Sequence, residues 1–173
     1  MSWPALSLIP IAVMIAGCAD TPLLAPASVP ASIQTPPGVG AYLKTYANGV
    51  QIYECSRKND STYEWAFKSP QATLSDSSGH VLGKHYAGPT WEANDGSSVV
   101  GETKARDPGP NPTAIPWLLL TPKSQSGSGT FADTKFVQRL ATVGGIAPAQ
   151  GCSETTLKQQ VQVPYTAAYV FYR

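Results

Sequence analysis

Turn signals break this sequence so often that little room is left between them for a long helix. Asn48-Gly49, Lys58 to Ser61, Asp76 to Gly79, Gly88-Pro89, Asn94-Asp95-Gly96, Asp107 to Thr113, Gly127 to Gly129 and Val143 to Pro148 all carry Gly, Pro, Asn, Asp or Ser. These residues accept positive φ, fix φ or bond their own backbone. The runs between them have strand character. Val50 to Cys55 is β-branched and aromatic, and Tyr63, Trp65 and Phe67 share one face at period two, which predicts a half-buried strand. Gln71 to Leu74 and His80 to Tyr86 form a smaller strand pair about the Asp76 to Gly79 turn. Ile115 to Thr121 is apolar enough to be a strand buried on both faces, and Lys135 to Leu140 and Ala168 to Tyr172 follow as later strands. No segment keeps a helical period with caps. The pattern predicts an all-β, single-domain antiparallel β-sandwich or barrel of about nine or ten strands with no long helix.

Composition agrees with that class and excludes some partners. With 173 residues, one domain with a sizeable core is expected. Twelve Lys and Arg against eleven Asp and Glu give a formal charge of +1, so neither nucleic acid nor an anionic membrane surface is attracted by net field.

Residues 1–17 read as a signal peptide. Ala5 to Ala16 is an apolar run too short to span a membrane, and Pro10 interrupts it. Ile15-Ala16-Gly17-Cys18 resembles the bacterial lipoprotein signal, which implies that Cys18 becomes the lipidated first residue and anchors the chain to a membrane. By the same resemblance, Ala19 rather than Asp in the next position implies the outer membrane, with the domain facing the periplasm. Met1 to Pro4 departs from that pattern because it carries no Lys or Arg; an ordinary secretory signal cut elsewhere is the alternative. Residues 18–40, with prolines at 22, 26, 30, 36 and 37, predict an extended tether of up to roughly 60 Å, followed by the β-sandwich domain at 41–173. Setting Cys18 aside leaves Cys55 and Cys152, which in an oxidising compartment predict a disulfide. No Cys-x-x-Cys spacing suggests redox chemistry.

Gly83 to Gly101 concentrates the chemistry. It contains His85, Tyr86, Trp91, Glu92 and Asp95, with Gly88-Pro89 and Asn94-Asp95-Gly96 as turns. Thr90 to Glu92 and Ser98 to Val100 would pair about the second turn. Alternation makes Trp91 a core anchor and turns Glu92 outward. Together with Trp117 and Arg139, these residues form the candidate ligand-binding set: His85, Tyr86, Trp91, Glu92, Asp95, Trp117 and Arg139. A structural corner explains the same glycines without any ligand.

Several blocks taken together resemble the DUF3455 proteins, secreted or lipid-anchored proteins of no established activity. They are Asn48 to Cys55, Trp65 to Phe67, Gly83 to Glu92, Asp95 to Ser97, Ile115 to Leu119, and Gly144 to Pro148 with Gly151-Cys152. The resemblance runs from about residue 36 to the end and supplies no mechanism, cofactor or catalytic residue.

Three functions are consistent with these residues. The first is a non-catalytic binding module of the cell envelope, with a carbohydrate or small periplasmic ligand as its partner. The second is a structural spacer. The alternative is a small hydrolase or lyase using His85 and Glu92 as an acid-base pair. Catalysis is the weaker reading because no Gly-x-Ser-x-Gly, His-Glu-x-x-His or Ser-His-Asp arrangement is present. With two histidines and no free cysteine, no metal site and no cofactor are expected.

Overall fold

A computed structural model describes Met1 and residues 28–173. The signal peptide, Cys18 and the first part of the expected tether lie outside the described residues. The strands are β1 (Ala41–Arg57), β2 (Tyr63–Ser75), β3 (Val81–Tyr86), β4 (Thr90–Ala93), β5 (Ser98–Asp107), β6 (Trp117–Ser126), β7 (Phe136–Gly144) and β8 (Gln160–Tyr172). Each pairs antiparallel with the next, and β8 returns to β1, so the sheet is a closed barrel in simple sequential order. The all-β expectation holds, with eight strands in one closed sheet.

The lower strand number has a local cause. Asn48-Gly49, expected to turn the chain, lies in the middle of β1, where Asn48 pairs with Thr73 on one side and Thr166 on the other. Hydrogen bonding on both edges overrides the local turn preference. Gly49 serves close approach instead: a Cβ there would lie 2.0 Å from the Gln71 carbonyl oxygen. Gln71 to Leu74 likewise continues β2 past a bulge opposite Ile52 and Tyr53 rather than starting a new strand.

Alternation sorts the side chains into two cores. Inside, Leu74, Trp91, Val99, Leu120, Phe131, Val137 and Phe171 pack one end of the barrel solidly. Phe131, from the β6–β7 connection, stacks on Phe171 with ring centroids 4.6 Å apart and plugs that end. Outside, Leu119, Leu140, Val170 and Tyr172 surround Ile33, which is fully buried. Leu118 and Leu120 face inward and Leu119 outward, so β6 is buried on both faces over Leu118 to Leu120, within the run the sequence marks, and emerges from the core beyond Pro122.

The cover over β6, β7 and β8 is the segment assigned from sequence to the tether. Residues 28–40 form a strap along the outer wall, with a short 3-10 turn at Ala31–Ile33. Gln138 Nε2 donates to the Ile33 carbonyl at 2.7 Å, and Tyr172 Oη donates to Gln138 Oε1 at 2.5 Å. Ser32 Oγ donates to Asp107 Oδ2 at 2.8 Å, and Gly40 exchanges backbone hydrogen bonds with Arg173. The packed domain therefore begins before residue 41, because Ile33 supplies the apolar group that closes the outer cluster.

Cys55 and Cys152 form a disulfide across 97 residues of sequence. It fastens the long β7–β8 connection to β1. In the chain-entropy picture a loop of that length contributes about 4–5 kcal/mol as an upper figure.

If the strap is part of the core, Ile33→Ala should lower the unfolding free energy by about 2–5 kcal/mol, measured by urea denaturation of the oxidised protein. A tether without tertiary contacts would leave the midpoint unchanged.

Candidate functional site

The turns of a sequential barrel alternate between its two ends, and the ends of this one differ. The β2–β3, β4–β5 and β6–β7 connections meet at the Phe131 plug. The β3–β4 turn and the β5–β6 and β7–β8 connections surround the other end, where the interior is a cavity of about 490 Å³. A volume of that size falls in the range of small-molecule sites.

Aliphatic and aromatic groups make most of the wall. Tyr53, Phe67 and Pro70 come from β1 and β2, Leu118 and Leu120 from β6, and Ile115 from the β5–β6 loop. Phe67 lies edge-on to Tyr53 at 5.8 Å and is 56% exposed. The shared face of Tyr63, Trp65 and Phe67 thus leaves the packed core and reaches the rim. Trp65 Nε1 donates to the Gln150 carbonyl at 2.8 Å and, with the disulfide, holds the β7–β8 connection beside the mouth.

The inner part of the cavity is polar and aromatic. His85 and Trp91 are register partners on β3 and β4 and stack at 4.5 Å with 17° between their planes; Tyr169 of β8 lies 5.0 Å from the imidazole. His85 Nδ1 lies 2.8 Å from the Thr90 carbonyl oxygen. A carbonyl only accepts, so Nδ1 carries the hydrogen and Nε2 keeps its lone pair. Burial pushes the imidazole pKa down to about 3, the Thr90 bond opposes this, and the Arg139 charge adds to the depression. His85 is therefore neutral.

Arg139 is the charge at the centre. It comes from β7 opposite Leu118 and Tyr169. Its Nε and Nη2 donate to the Pro116 carbonyl at 3.0 and 2.8 Å, which ties the β5–β6 loop to the wall. Thr142 Oγ1 adds a bond to the Ile115 carbonyl at 2.6 Å. Burial raises the pKa of Tyr53, Tyr165 and Tyr169, and the nearby Arg139 charge pulls each the other way.

Several polar atoms here have no hydrogen-bond partner among the described residues. Gln51 Nε2, Trp91 Nε1, Tyr165 Oη and Tyr169 Oη are enclosed without a bond of full geometry, as is Thr45 Oγ1, with Tyr165 lying loosely beside Gln51 and Tyr169, and Tyr169 beside Arg139. Gln51, Trp91 and Tyr169 line the cavity. Buried polar groups are normally satisfied, so such a cluster marks a place where something else can bond.

Of the residues singled out from sequence, the structure brings His85, Trp91 and Arg139 into this cavity. Tyr86 and Glu92 are on the outer wall, where Tyr86 Oη donates to Glu92 Oε2 at 2.6 Å and Lys84 Nζ lies 2.9 Å from Glu92 Oε1. Those bonds, Tyr86 first, hold the Glu92 carboxyl below its ordinary range. The acid-base pair of His85 and Glu92 is thus not assembled: Glu92 is opposite Lys84, not His85, and strand alternation sends the two side chains to opposite faces. Asp95 sits at the plugged end and accepts from the backbone and hydroxyl groups of both Ser97 and Thr130. It is a structural bridge between two turns, and those hydrogen bonds strongly depress its pKa. Trp117 belongs to the outer cluster beneath the strap.

Gln51, Tyr53, Thr103 and Tyr169 were not singled out by sequence. Gln51 did carry a signal, as a polar residue on the same face as Tyr53 and Cys55. Among the described residues, no three His, Cys, Asp or Glu side chains gather in a way that could hold a metal.

Residues 36–173 match the family model described as a protein of unknown function, DUF3455. The chain belongs to the DUF3455 family. No curated protein and no solved structure matches it. In this DUF3455 barrel the Gly83 to Glu92 block has two faces, with His85 and Trp91 turned into the cavity and Lys84, Tyr86 and Glu92 bonded together outside.

The neutral imidazole gives a pH dependence of definite sign. The unfolded chain takes up a proton on His85 near pH 6.5, whereas the folded chain resists it down to about 3. Stability is therefore lost as pH falls through that window, by at most about 1.4 kcal/mol per unit. Urea midpoints measured between pH 6.5 and 5, above most carboxylate titration, should fall for the wild type. His85→Asn, which can keep a donor to Thr90, should flatten the slope.

Proposed function

We propose that this protein is a non-catalytic binding module of the bacterial cell envelope that holds a small, largely apolar molecule inside its barrel. The carrying observation is the cavity of about 490 Å³ at one end of an otherwise filled barrel. Eight-stranded barrels are near the size limit at which the interior either fills with side chains or admits one small ligand. A purely structural spacer gains nothing from leaving Gln51, Trp91 and Tyr169 short of full hydrogen bonds in the wall of a cavity. The hydrolase or lyase reading loses its acid-base pair because His85 and Glu92 face opposite sides of the sheet.

The envelope placement rests on the sequence. Cys18 in its lipoprotein-like context supports a membrane anchor, with the domain on the periplasmic side of the outer membrane. The Cys55–Cys152 disulfide is consistent with an oxidising compartment. A carbohydrate, polar all round, suits the cavity poorly, since the polar groups gather at its inner part and aliphatic and aromatic groups make most of the wall.

Titration with the neutral fluorophore 1-aminoanthracene should show saturable binding at one molecule per chain. Thr103→Trp, which places an indole in the mouth from a residue that already faces open space, should abolish that binding while the thermal midpoint stays near wild type. Unsaturable binding, or binding indifferent to Thr103→Trp, would remove the barrel interior as the site. For the anchor, Cys18→Ser should abolish incorporation of labelled palmitate in a Gram-negative host; retained label would place lipidation elsewhere.

A further inference from the structure

Resting on the reading of the cavity as a small-molecule site, we propose that its ligand is an apolar organic carboxylate whose acid group lies against Arg139, Gln51 and Tyr169. Three independent observations converge on an anionic head group.

The first is the state of Arg139. A partly buried guanidinium normally has a carboxylate partner, but among the described residues Arg139 makes no ion pair. Two of its nitrogens share the Pro116 carbonyl, which fixes the plane of the guanidinium and leaves its other N–H groups with only a loose contact to Tyr169. A guanidinium held this way is preset for the paired bonds that a planar carboxylate accepts.

The second is the set of unbonded donors around it. Gln51 is 2% exposed and Tyr169 1% exposed, and both line the cavity; neither Gln51 Nε2 nor Tyr169 Oη has a partner at full hydrogen-bond geometry, Tyr169 lying loosely beside Arg139 and Tyr165, and Gln51 beside Tyr165. Tyr169 is also the register partner of Arg139 across β7 and β8. An amide N–H, a phenol and a guanidinium on one side of a cavity all supply hydrogens, and a carboxylate only accepts them.

The third is the charge of the lining. Lys68, Arg106 and Arg139 contribute to it, and no Asp or Glu does. Lys68 is matched by Glu54, whose Oε2 lies 2.5 Å from Nζ. Arg106, at the rim, has no ion pair among the described residues, so an arriving anion meets an uncompensated cation at the mouth before it reaches Arg139. Beyond the head group, Ile115, Leu118, Leu120 and Pro70 offer only apolar surface. The occupant is therefore an amphiphile small enough for the cavity, with an aliphatic or aromatic body. A cationic ligand would face the uncompensated Arg106 and Arg139 and a neutral imidazole, with no carboxylate in the lining to meet it.

Isothermal titration of the oxidised protein with benzoate, phenylacetate and octanoate, each beside its primary amide, tests the assignment. At least one acid should bind about tenfold or more tightly than its amide, since charge-assisted hydrogen bonds replace neutral ones. Arg139→Gln should bring the acid-to-amide ratio to near unity, whatever its effect on the amide alone, and Tyr169→Phe should weaken the acid more than the amide. The wild-type comparison stands even if a variant folds poorly. Acids and amides binding alike, as expected if ordered water alone satisfies these donors, overturns the assignment but leaves the cavity as a binding site. Selectivity that survives Arg139→Gln in a folded variant also overturns it. Failure of every acid and amide, together with failure of the neutral fluorophore, overturns the binding reading beneath it.

Discussion

Closure of the sheet through β1 is the constraint on which the rest of the structure depends. This strand, Ala41–Arg57, is hydrogen-bonded to β2 along one edge and to β8 along the other. Every strand thereby has a hydrogen-bonded neighbour on each side over part of its length, and every strand acquires an inside and an outside. The inward positions of β1 then run Thr45, Ala47, Gly49, Gln51, Tyr53 and Cys55. Small residues at 47 and 49 let the walls approach, Gln51 and Tyr53 border the cavity, and Cys55 fastens the rim. One strand therefore grades the interior from packed to open.

Closure also accounts for the two-sided character of the Gly83 to Glu92 block. A Cβ at Gly83 would lie 2.1 Å from the Glu92 carbonyl oxygen, so β3 and β4 come together only with glycine there. With the hairpin fixed, His85 and Trp91 stack inward as one aromatic unit, and Lys84, Tyr86 and Glu92 bond outward as another. The density of chemistry that marks this block in the sequence is thus divided by the sheet between an interior role and a surface role.

The fold class was legible because its signals are local. Tyr63, Trp65 and Phe67 do share a face, β6 is buried on both sides, and Asn94-Asp95-Gly96 does turn the chain between β4 and β5. Long-range pairing was not legible, so Asn48-Gly49 read as a turn when its neighbours across the sheet keep it extended. The strap was missed for a similar reason. Its prolines describe a chain without a regular partner, and nothing local reveals that Ile33 fills a recess among Leu119, Leu140 and Val170. At the site, alternation alone separated Trp91 from Glu92. Bringing Arg139 to Tyr169, and both to His85, required the return of β8 beside β7 and β1, which one sequence does not encode as a motif.

The course of the strap has a directional consequence. Gly40 begins at the plugged end, beside Arg173, and Ser32 is bonded to Asp107, the last residue of β5, at the rim of the cavity. Followed backwards, the chain thus climbs the outer wall and departs near the opening rather than near the Phe131 plug. The strap is thus a brace as tall as the barrel, tying the end of β5 at the rim to the β8 terminus at the opposite end across the outer faces of β6 and β7.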